Sequence, residues 1–534
     1  MAKICLVTYN YGDLDTCEGA GKWIYNLSCA LEKKGHIITI LLAGGDWTKE
    51  KSNMMQLCID KRIKVTHLSE KNYNEEVFPK ETSIMTSYKV YKWLESSEFN
   101  FIYFLDSGAS GFHTIQAKRT MGQFANCNII VNLYGTNMWY RENTQQWSDG
   151  SLASLRLNYM EKYCCEHADI IISPSTEIYD WCSTKNFNFD GRKEIIPYLS
   201  VSEDINIQNQ HAEVERKWIE MFSKEYVQGH REKRAYPKVS VCMAYYNHGH
   251  YLTAAVESLV ANKYSNFEVI VVNDGSTEPY SNQVFENLKE KYGKEDFIFI
   301  SKENEYLGKT RNVAASYASG EYIVFMDSDN IANPDMIESM VSAMEWSGMD
   351  CLTCHNEVFV GKGMPNSTST NKEVFSPVGP AVDVGIFENC YGDANFIIKK
   401  SVFDKIGGFT TDRLSYEDWQ LLVKLALGGY KQDVIPKVLY MYRVTNDSMV
   451  HTANMYKSHK RILDTYNGAL PVQLRGLFTE YIFPTWYNSF ASSVTISKGT
   501  DNINTKLIKG INKILPFGTR RRVLVKKIAK RLIR

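Results

Sequence analysis

The sequence predicts an α/β protein made of two consecutive βα series, the second followed by a helical, basic end. Three observations predict it. Short apolar runs alternate with helical periodicity up to about residue 200, a pattern that argues for a parallel sheet covered on both faces. A second series of the same kind opens near residue 237, with no internal repeat joining the two halves. Between them Val201–Tyr236 is polar, highly charged and free of strand signal, which reads as a helical linker. At 534 residues the chain exceeds what one core can serve, so two or three domains are expected.

The elements come in this order. Ile4–Thr8 is a short apolar strand, Gly19–Lys33 a helix with apolar residues at helical spacing, and His36–Leu42 the next strand. Phe101–Leu105 and Asn128–Leu133 are buried-strand runs, the second ending in Tyr-Gly. Leu152–His167 is helical, Ile170–Ile172 a strand, and Thr176–Cys182 a short helix after Ser-Pro-Ser. In the second series Val239–Ala244, Glu268–Asn273, Phe297–Ser301 and Tyr322–Met326 are strands, and Leu252–Leu259 is a helix. Gly468 onward is helical and then basic. The expected division is 1–200, a linker 201–236, 237–466, and a C-terminal segment 467–534.

Composition narrows the class. With 44% hydrophobic and 23% charged residues the chain is an ordinary globular protein, neither disordered nor fibrous. Lys+Arg and Asp+Glu both total 61, but Asn502–Arg534 holds eleven bases and no acid. The first 501 residues therefore carry a net −11. A globally basic nucleic-acid binder is excluded on that ground. Met1–Asp13 has no secretory pattern, and no uncharged apolar stretch approaches the roughly 20 residues a membrane helix needs. A cytoplasmic location is the expectation, with the twelve cysteines mostly reduced. Cys351-Leu-Thr-Cys354 has no second CxxC or His pair near it and reads as buried thiols.

Four features of the second half carry chemistry. One strand ends in Tyr245-Tyr246-Asn247, a second in Asp274-Gly275-Ser276-Thr277, and a third in Asp327-Ser328-Asp329, while Glu417-Asp418-Trp419 opens an apolar helix. Taken singly, Asp-Gly-Ser is a turn, Asp-Ser-Asp a solvated loop, and Glu417-Asp418 a complement to a helix dipole. Together they should converge on one crevice, because open α/β sheets bind ligands at the carboxyl ends of their strands. An Asp-x-Asp on a strand end turns both carboxylates to one side. Such a pair can hold a hard divalent cation, Mn²⁺ or Mg²⁺, which neutralises a diphosphate. Asp274 can accept from a base N–H, favouring uracil or thymine. Arg311 supplies a phosphate-reading guanidinium, and Asp418 can take the proton of an attacking hydroxyl.

The order Pro237-Lys-Val-Ser-Val, Tyr246-Asn247, Val272-Asn-Asp-Gly-Ser-Thr277, Arg311-Asn312, Gly320-Glu-Tyr-Ile-Val-Phe-Met-Asp-Ser-Asp329, Gly407-Gly-Phe409 and Glu417-Asp418 resembles the family-two inverting glycosyltransferases of the GT-A fold. The resemblance implies transfer of a sugar from a nucleoside diphosphate donor with inversion at the anomeric carbon. It implies Asp274 as the base-reading acid, with Tyr246, Arg311, Asp327 and Ser328 also on the donor. It implies Asp329 as the metal ligand and Asp418 as the catalytic base. One position departs: the first of two acids common before Gly-Ser is Asn273 here. Asp393 and Glu417 fall where the family places acceptor contacts. Tyr442-Arg443 and His451 come after the last strand, where diphosphate or metal contacts often stand, and a surface histidine is the plainer reading of His451. Trp419 reads as core.

Met1–Tyr198 also has a family look. Gly19-Ala-Gly-Lys-Trp-Ile-Tyr-Asn26, Leu31-Glu-Lys-Lys-Gly-His36 and Ala168-Asp-Ile-Ile-Ile-Ser-Pro-Ser175 resemble the N-terminal, Rossmann-like half of family-four GT-B glycosyltransferases. The half that holds the donor in those enzymes is replaced here by the second series, and Tyr134 stands where His often precedes Gly. The first domain is therefore expected to be a non-catalytic platform for acceptor or docking.

Lys506–Lys513 and Arg520–Arg534 set apolar residues among basic ones, with Pro516-Phe-Gly518 between. Two readings fit: a basic amphipathic helix lying on an anionic membrane, and a helix packed on the acidic body. The first is preferred, because acceptors in surface glycan assembly are often lipid-linked. The expected function is thus a metal-dependent inverting transferase, using a nucleotide-sugar (UDP-sugar favoured) and a glycan or lipid-linked glycan, in polysaccharide or glycoconjugate assembly, peripheral on the cytoplasmic face. The alternative is a glycan-binding scaffold with an inactive transferase domain. A nucleotidyltransferase ranks third, since Tyr245-Tyr-Asn-His-Gly249 is not a Gly-rich phosphate loop.

Overall fold

The structure is a computed structural model that describes residues 1–9, 20–44, 62–71, 81–198, 205–223, 236–294, 296–365, 370–445 and 455–484. Met1–Tyr466 forms one compact unit and Asn467–Arg534 a second. In the second unit Val472–Leu477 is a helix followed by the π-helical turn Phe478–Ile482. The basic tail and His451 lie outside the described residues.

The first series builds a seven-stranded sheet from β1 (Lys3–Thr8), β2 (Ile37–Leu42), β3 (Ile63–His67), β4 (Phe101–Leu105), β5 (Asn128–Asn132), β6 (Ile170–Ser173) and β7 (Arg192–Ile195). The order is β3-β2-β1-β4-β5-β6-β7, and every pairing is parallel. Continuous apolar strands such as Phe101-Ile-Tyr-Phe-Leu105, buried throughout, are what a sheet covered on both faces requires.

The charged stretch expected to be a linker is in part core. Its helix Ile205–Met221 and the next residue bury Trp218, Met221 and Phe222 against the first sheet. Trp218 lies 4.8 Å from Trp23 and 6.2 Å from Tyr103, and Phe222 lies 5.4 Å from Phe101, ring centroid to ring centroid. The Trp218 indole donates to the Pro197 carbonyl at 2.9 Å. Three large apolar residues at one helical spacing suffice to dock a helix that is otherwise mostly polar.

The second series builds a nine-stranded sheet from β8 (Val239–Tyr245), β9 (Phe267–Asn273), β10 (Phe297–Ser301), β11 (Tyr322–Phe325), β12 (Ile331–Ala332), β13 (Cys351–Val360), β14 (Thr370–Phe375), β15 (Ile397–Lys399) and β16 (Gln432–Val444). The path is β10-β9-β8-β11-β15-β13-β16-β12, with β14 paired to β13. Strands β10, β9, β8 and β11 are parallel neighbours, so three of the sequence clusters leave the same edge. β15 then runs antiparallel to β11. Cys351 and Cys354 are buried thiols within β13.

The two sheets meet across a polar seam. Asp433, at the start of β16, accepts from Gln116 Nε2 at 3.1 Å and from the Tyr163 hydroxyl at 2.7 Å. Arg119 Nε lies 3.6 Å from the same carboxylate. His113 and His355 share the Ser376 hydroxyl at 3.3 and 3.0 Å, and burial pushes both imidazoles down, His355 to about 3. The Trp346 indole donates to the Lys118 carbonyl at 3.0 Å. His113, Gln116, Lys118 and Arg119 all belong to the helix Phe112–Met121, which the sequence pattern does not reveal. Many of its polar side chains are buried, His113 and Gln116 against the other sheet and Lys118 against Asp169, so no clean apolar stripe remains to be read.

Asp433→Ala should therefore cost about 3 kcal/mol, because it strands Gln116, Arg119 and Tyr163 in a dry seam. The shift of the urea midpoint measures it. A loss below about 1 kcal/mol would mean the seam does not depend on this carboxylate.

Candidate functional site

The edge where β8, β9 and β11 end is stitched together by side chains from the turns themselves. Asn247, after β8, sits at φ +52°. Its Oδ1 accepts from the amides of Thr277 and Glu278 at 2.9 and 3.1 Å, and its own amide donates to Ser276 Oγ at 3.0 Å. That ties the Asp-Gly-Ser-Thr turn to the end of β8. Gly275 is required there: its φ is +66°, and a Cβ would fall 2.9 Å from the Asn304 nitrogen. Tyr246 stands exposed beside this turn.

Asp274 is buried, and its carboxylate is fully occupied from within the chain. It accepts from the amides of Glu305 and Tyr306, each at 2.9 Å, from Asn304 Nδ2 at 3.1 Å, and pairs with Lys302. Four donors match what a carboxylate can take. Tyr306 is thereby held at φ +81°, ψ 163°, a conformation costly for any residue but glycine. A base N–H arriving at Asp274 competes with Lys302 or Asn304 rather than meeting a free acceptor.

Asp327-Ser328-Asp329 lies in a turn after β11 rather than on an extended strand end. Strand alternation thus does not set the two carboxylates; electrostatics and the neighbours do. Arg311, in the helix Leu307–Ser316, is buried and bridges Asp327 Oδ1 and Glu417 Oε1, each at 2.5 Å. Its guanidinium also lies 5.4 Å from the centre of the Phe409 ring. Arg443, on β16, donates from Nε to the Asp329 carbonyl at 2.7 Å, from Nη2 to the Gly363 carbonyl at 3.1 Å, and from Nη1 to the Gly361 carbonyl. The planar fork is packed against Phe359 and Tyr251. His248 Nδ1 and Ser328 Oγ are 3.2 Å apart.

Two further acids complete the group. Asp393 accepts from the Tyr440 hydroxyl at 2.8 Å, and Tyr440 in turn accepts from Asn356 Nδ2 at 2.8 Å. Asp418 sits half-buried in the first turn of the helix Glu417–Leu427, which Tyr416 enters at φ +71°. Burial, then the Asp327 charge, pushes Asp329 up to about 7. Burial, then Asp327 and Asp418, pushes Asp393 up to about 7. Burial raises Glu417 to about 6 against the pull of Arg311, and it raises Asp418 as well. Five carboxyl groups thus crowd one edge with more negative charge than its arginines offset. That surplus, carried by hard oxygen donors, suits a divalent cation. Among the described residues no three His, Cys, Asp or Glu side chains form a ready-made cage. Magnesium-type sites commonly use one or two carboxylates and let substrate phosphates supply the rest, so Asp327 and Asp329 fit.

Tyr246, Asp274, Arg311, Asp327, Ser328, Asp329, Asp393, Glu417 and Asp418 all lie around this edge, while His451 falls outside the described residues. Arg311 gives one hydrogen bond from each terminal nitrogen to a carboxylate, and Glu417 is buried against it. Arg443 likewise spends its donors on backbone carbonyls. Trp419 is core, its indole donating to the Gly385 carbonyl at 3.0 Å. Missed were His248, whose only signal was its place after Asn247, and Lys302 and Tyr440, whose roles depend on partners far along the chain.

Residues 240–407 match the family model described as Glycosyl transferase family 2, and the chain carries such a domain there. Glycosyltransferase GlyA of Streptococcus pneumoniae is 27% identical over 229 residues, covering 40% of this chain and 31% of that protein. An uncharacterized glycosyltransferase of Haemophilus influenzae is 28% identical over 190 residues, covering 35% of this chain and 61% of that one. The chain thus spans less than two thirds of either relative. The crystal structure of S. aureus TarS 1-349 in complex with UDP-GlcNAc superposes with a TM-score of 0.36 at 25% identity, covering 45% of this chain and 69% of that one.

Arg311→Met should destabilise the protein by about 4 kcal/mol, since it leaves Glu417 buried without a counter-charge. Adding Glu417→Gln should recover part of that loss, as denaturant titration of the two variants will show. A double variant no more stable than Arg311→Met alone would mean the pair is not the source of the cost.

Proposed function

We propose that the chain is a metal-dependent inverting glycosyltransferase that moves a sugar from a nucleoside diphosphate donor, a UDP-sugar by preference, to a hydroxyl of a glycan or glycolipid. The assembly of a surface polysaccharide or glycoconjugate is the setting this reading suggests. The observation that carries it is the set of carboxyl groups at one strand edge: Asp327 and Asp329 on one turn within the family-two match, with Asp418, beyond that match, near them on a helix N-terminus. Asp329, with Asp327 beside it, would hold Mn²⁺ or Mg²⁺, which would supply charge neutralisation for the diphosphate.

The chain's own groups do the rest. The Asp274 turn and Tyr246 form the wall for the nucleoside. Arg311 fixes Asp327 and Glu417, so that Asp418, one residue on, is presented at a set angle. Asp418 takes the proton of the acceptor hydroxyl as that oxygen attacks the anomeric carbon and the diphosphate leaves. Its raised pKa makes it a stronger base than an exposed aspartate, and helix-terminal amides keep it ionisable. Asp393, next to it electrostatically, is placed to accept from other acceptor hydroxyls. The rival reading, a scaffold that binds glycans without turnover, sits poorly with acids retained in all three turns.

Asp418→Asn should lower transfer about a thousandfold while donor affinity stays nearly constant. The wild-type rate should rise with pH along a limb set by Asp418, since only the ionised carboxylate accepts a proton. That limb should lie above the usual carboxylate range and vanish in the variant. Transfer at the wild-type rate by Asp418→Asn would remove it as the base. Asp329→Ala should weaken metal-dependent donor binding by more than about tenfold. Ligand-observed NMR with a panel of nucleotide-sugars, with and without chelator, reads this directly. Donor binding indifferent to chelator in both proteins would refute the assignment of Asp329.

A further inference from the structure

Three arginines serve this edge, and one of them is incompletely used. Arg461, in the helix Met455–Ala469, is 7% exposed. Its Nη2 donates to the Ser415 carbonyl. Its Nε and Nη1 are buried and take no hydrogen-bond partner, and the nearest carboxylate, Asp412, stands 4.0 Å from Nη1 on an exposed side chain. The hydroxyl of Ser415, and that of Ser458 one turn earlier on the same helix, are also buried without partners. Arg311, by contrast, bonds through both Nη atoms, and Arg443 through Nε and both Nη atoms. A buried guanidinium with two idle nitrogens is strongly destabilising unless something pairs with it.

The charges around Arg461 say which side of the site it serves. It feels Glu417, Asp412, Asp418 and Tyr306, whereas Arg443 is the arginine that feels Asp329. Arg461 therefore lies on the side of the base and away from the turn assigned to the donor's metal. Resting on the reading of Asp418 as that base, we propose that Arg461, with the Ser415 and Ser458 hydroxyls, forms an oxyanion subsite for the acceptor. The acceptor then carries a phosphate or carboxylate near the hydroxyl that is glycosylated. Two idle N–H groups on a planar fork match the two oxygens of such a group. Asp412 is the competing internal anion, which the ligand displaces.

The test uses the full chain with inorganic phosphate and acetate as probes, titrated calorimetrically with and without UDP. Phosphate or acetate should bind wild type, and Arg461→Gln should weaken that binding at least about tenfold, the loss of a charge-assisted pair. Arg461→Lys, which keeps the charge without the fork, should fall between. Asp412→Asn, at an exposed position that leaves folding intact, should tighten anion binding, and it serves the test if Arg461→Gln fails to fold. UDP affinity should be the same in all four proteins. The better-bound probe distinguishes a phosphorylated acceptor from a carboxylated one. Anion binding unchanged in both Arg461→Gln and Asp412→Asn overturns the subsite. A fall in UDP affinity with Arg461→Gln gives the arginine to the donor diphosphate and overturns the acceptor reading. Failure of wild type to bind UDP, with anion binding still dependent on Arg461, sinks the transferase reading and leaves the subsite standing.

Discussion

The Arg311 guanidinium ties together three segments that are far apart in the chain. The arginine comes from the helix after β10, Asp327 from the turn after β11, and Glu417 from a helix that begins ninety residues later. In water the triad would be worth little. Here the arginine and Glu417 are buried, so breaking either pair strands a charge in a dry place, and the three segments move only together. The internal ion triad joins two helices and a turn that lie far apart in the chain. The strained residues Tyr306 and Tyr416 stand at the entry of the two helices concerned.

That triad explains why the reactive acids are not themselves neutralised. Arg311 pairs with Glu417 and with one oxygen of Asp327, and Arg443 binds the carbonyl of Asp329 rather than its carboxylate. Burial raises the pKa values of Asp329, Asp393 and Asp418, and neighbouring carboxylates add to it. An edge so arranged is unstable toward any cation that can reach it, and it favours a proton acceptor of more than ordinary basicity. Both are properties a sugar transfer needs, and both result from burial and the crowding of carboxylates together with where the arginines point.

Much of this was legible in the sequence, and the limits of legibility are physical. The strand ends carrying Asp274, Asp327 and Asp329 could be placed, because apolar runs such as Glu268–Asn273 announce buried strands, and the turns after parallel strands must surface at one edge. The partners of Arg311, Arg443 and Lys302 could not, because ion pairing is decided by packing between elements dozens of residues apart. The same holds for Ile205–Met221, where polar residues dominate the composition and a few apolar ones decide the docking. It holds again for Phe112–Met121, whose His113 and Gln116 are buried against a second sheet. Sequence pattern reports which face meets oil; it is silent where polar groups meet one another out of water.

β16 carries that silence to its consequence. Its start is gripped by the first sheet's helices through Asp433, its middle supplies Tyr440 to Asp393, and its end supplies Arg443 to the Asp329 turn. Ten residues of extended chain span about 33 Å, so one strand runs from the seam to two of the acids. β13 pairs with it along most of that length, and β12 joins it at Tyr440 and Met441, which restrains bending. The first sheet therefore need not touch substrate to matter: it anchors the far end of the rod on which Asp393 and Asp329 are set. The first sheet has, on this geometry, a mechanical part in setting the acids of the second.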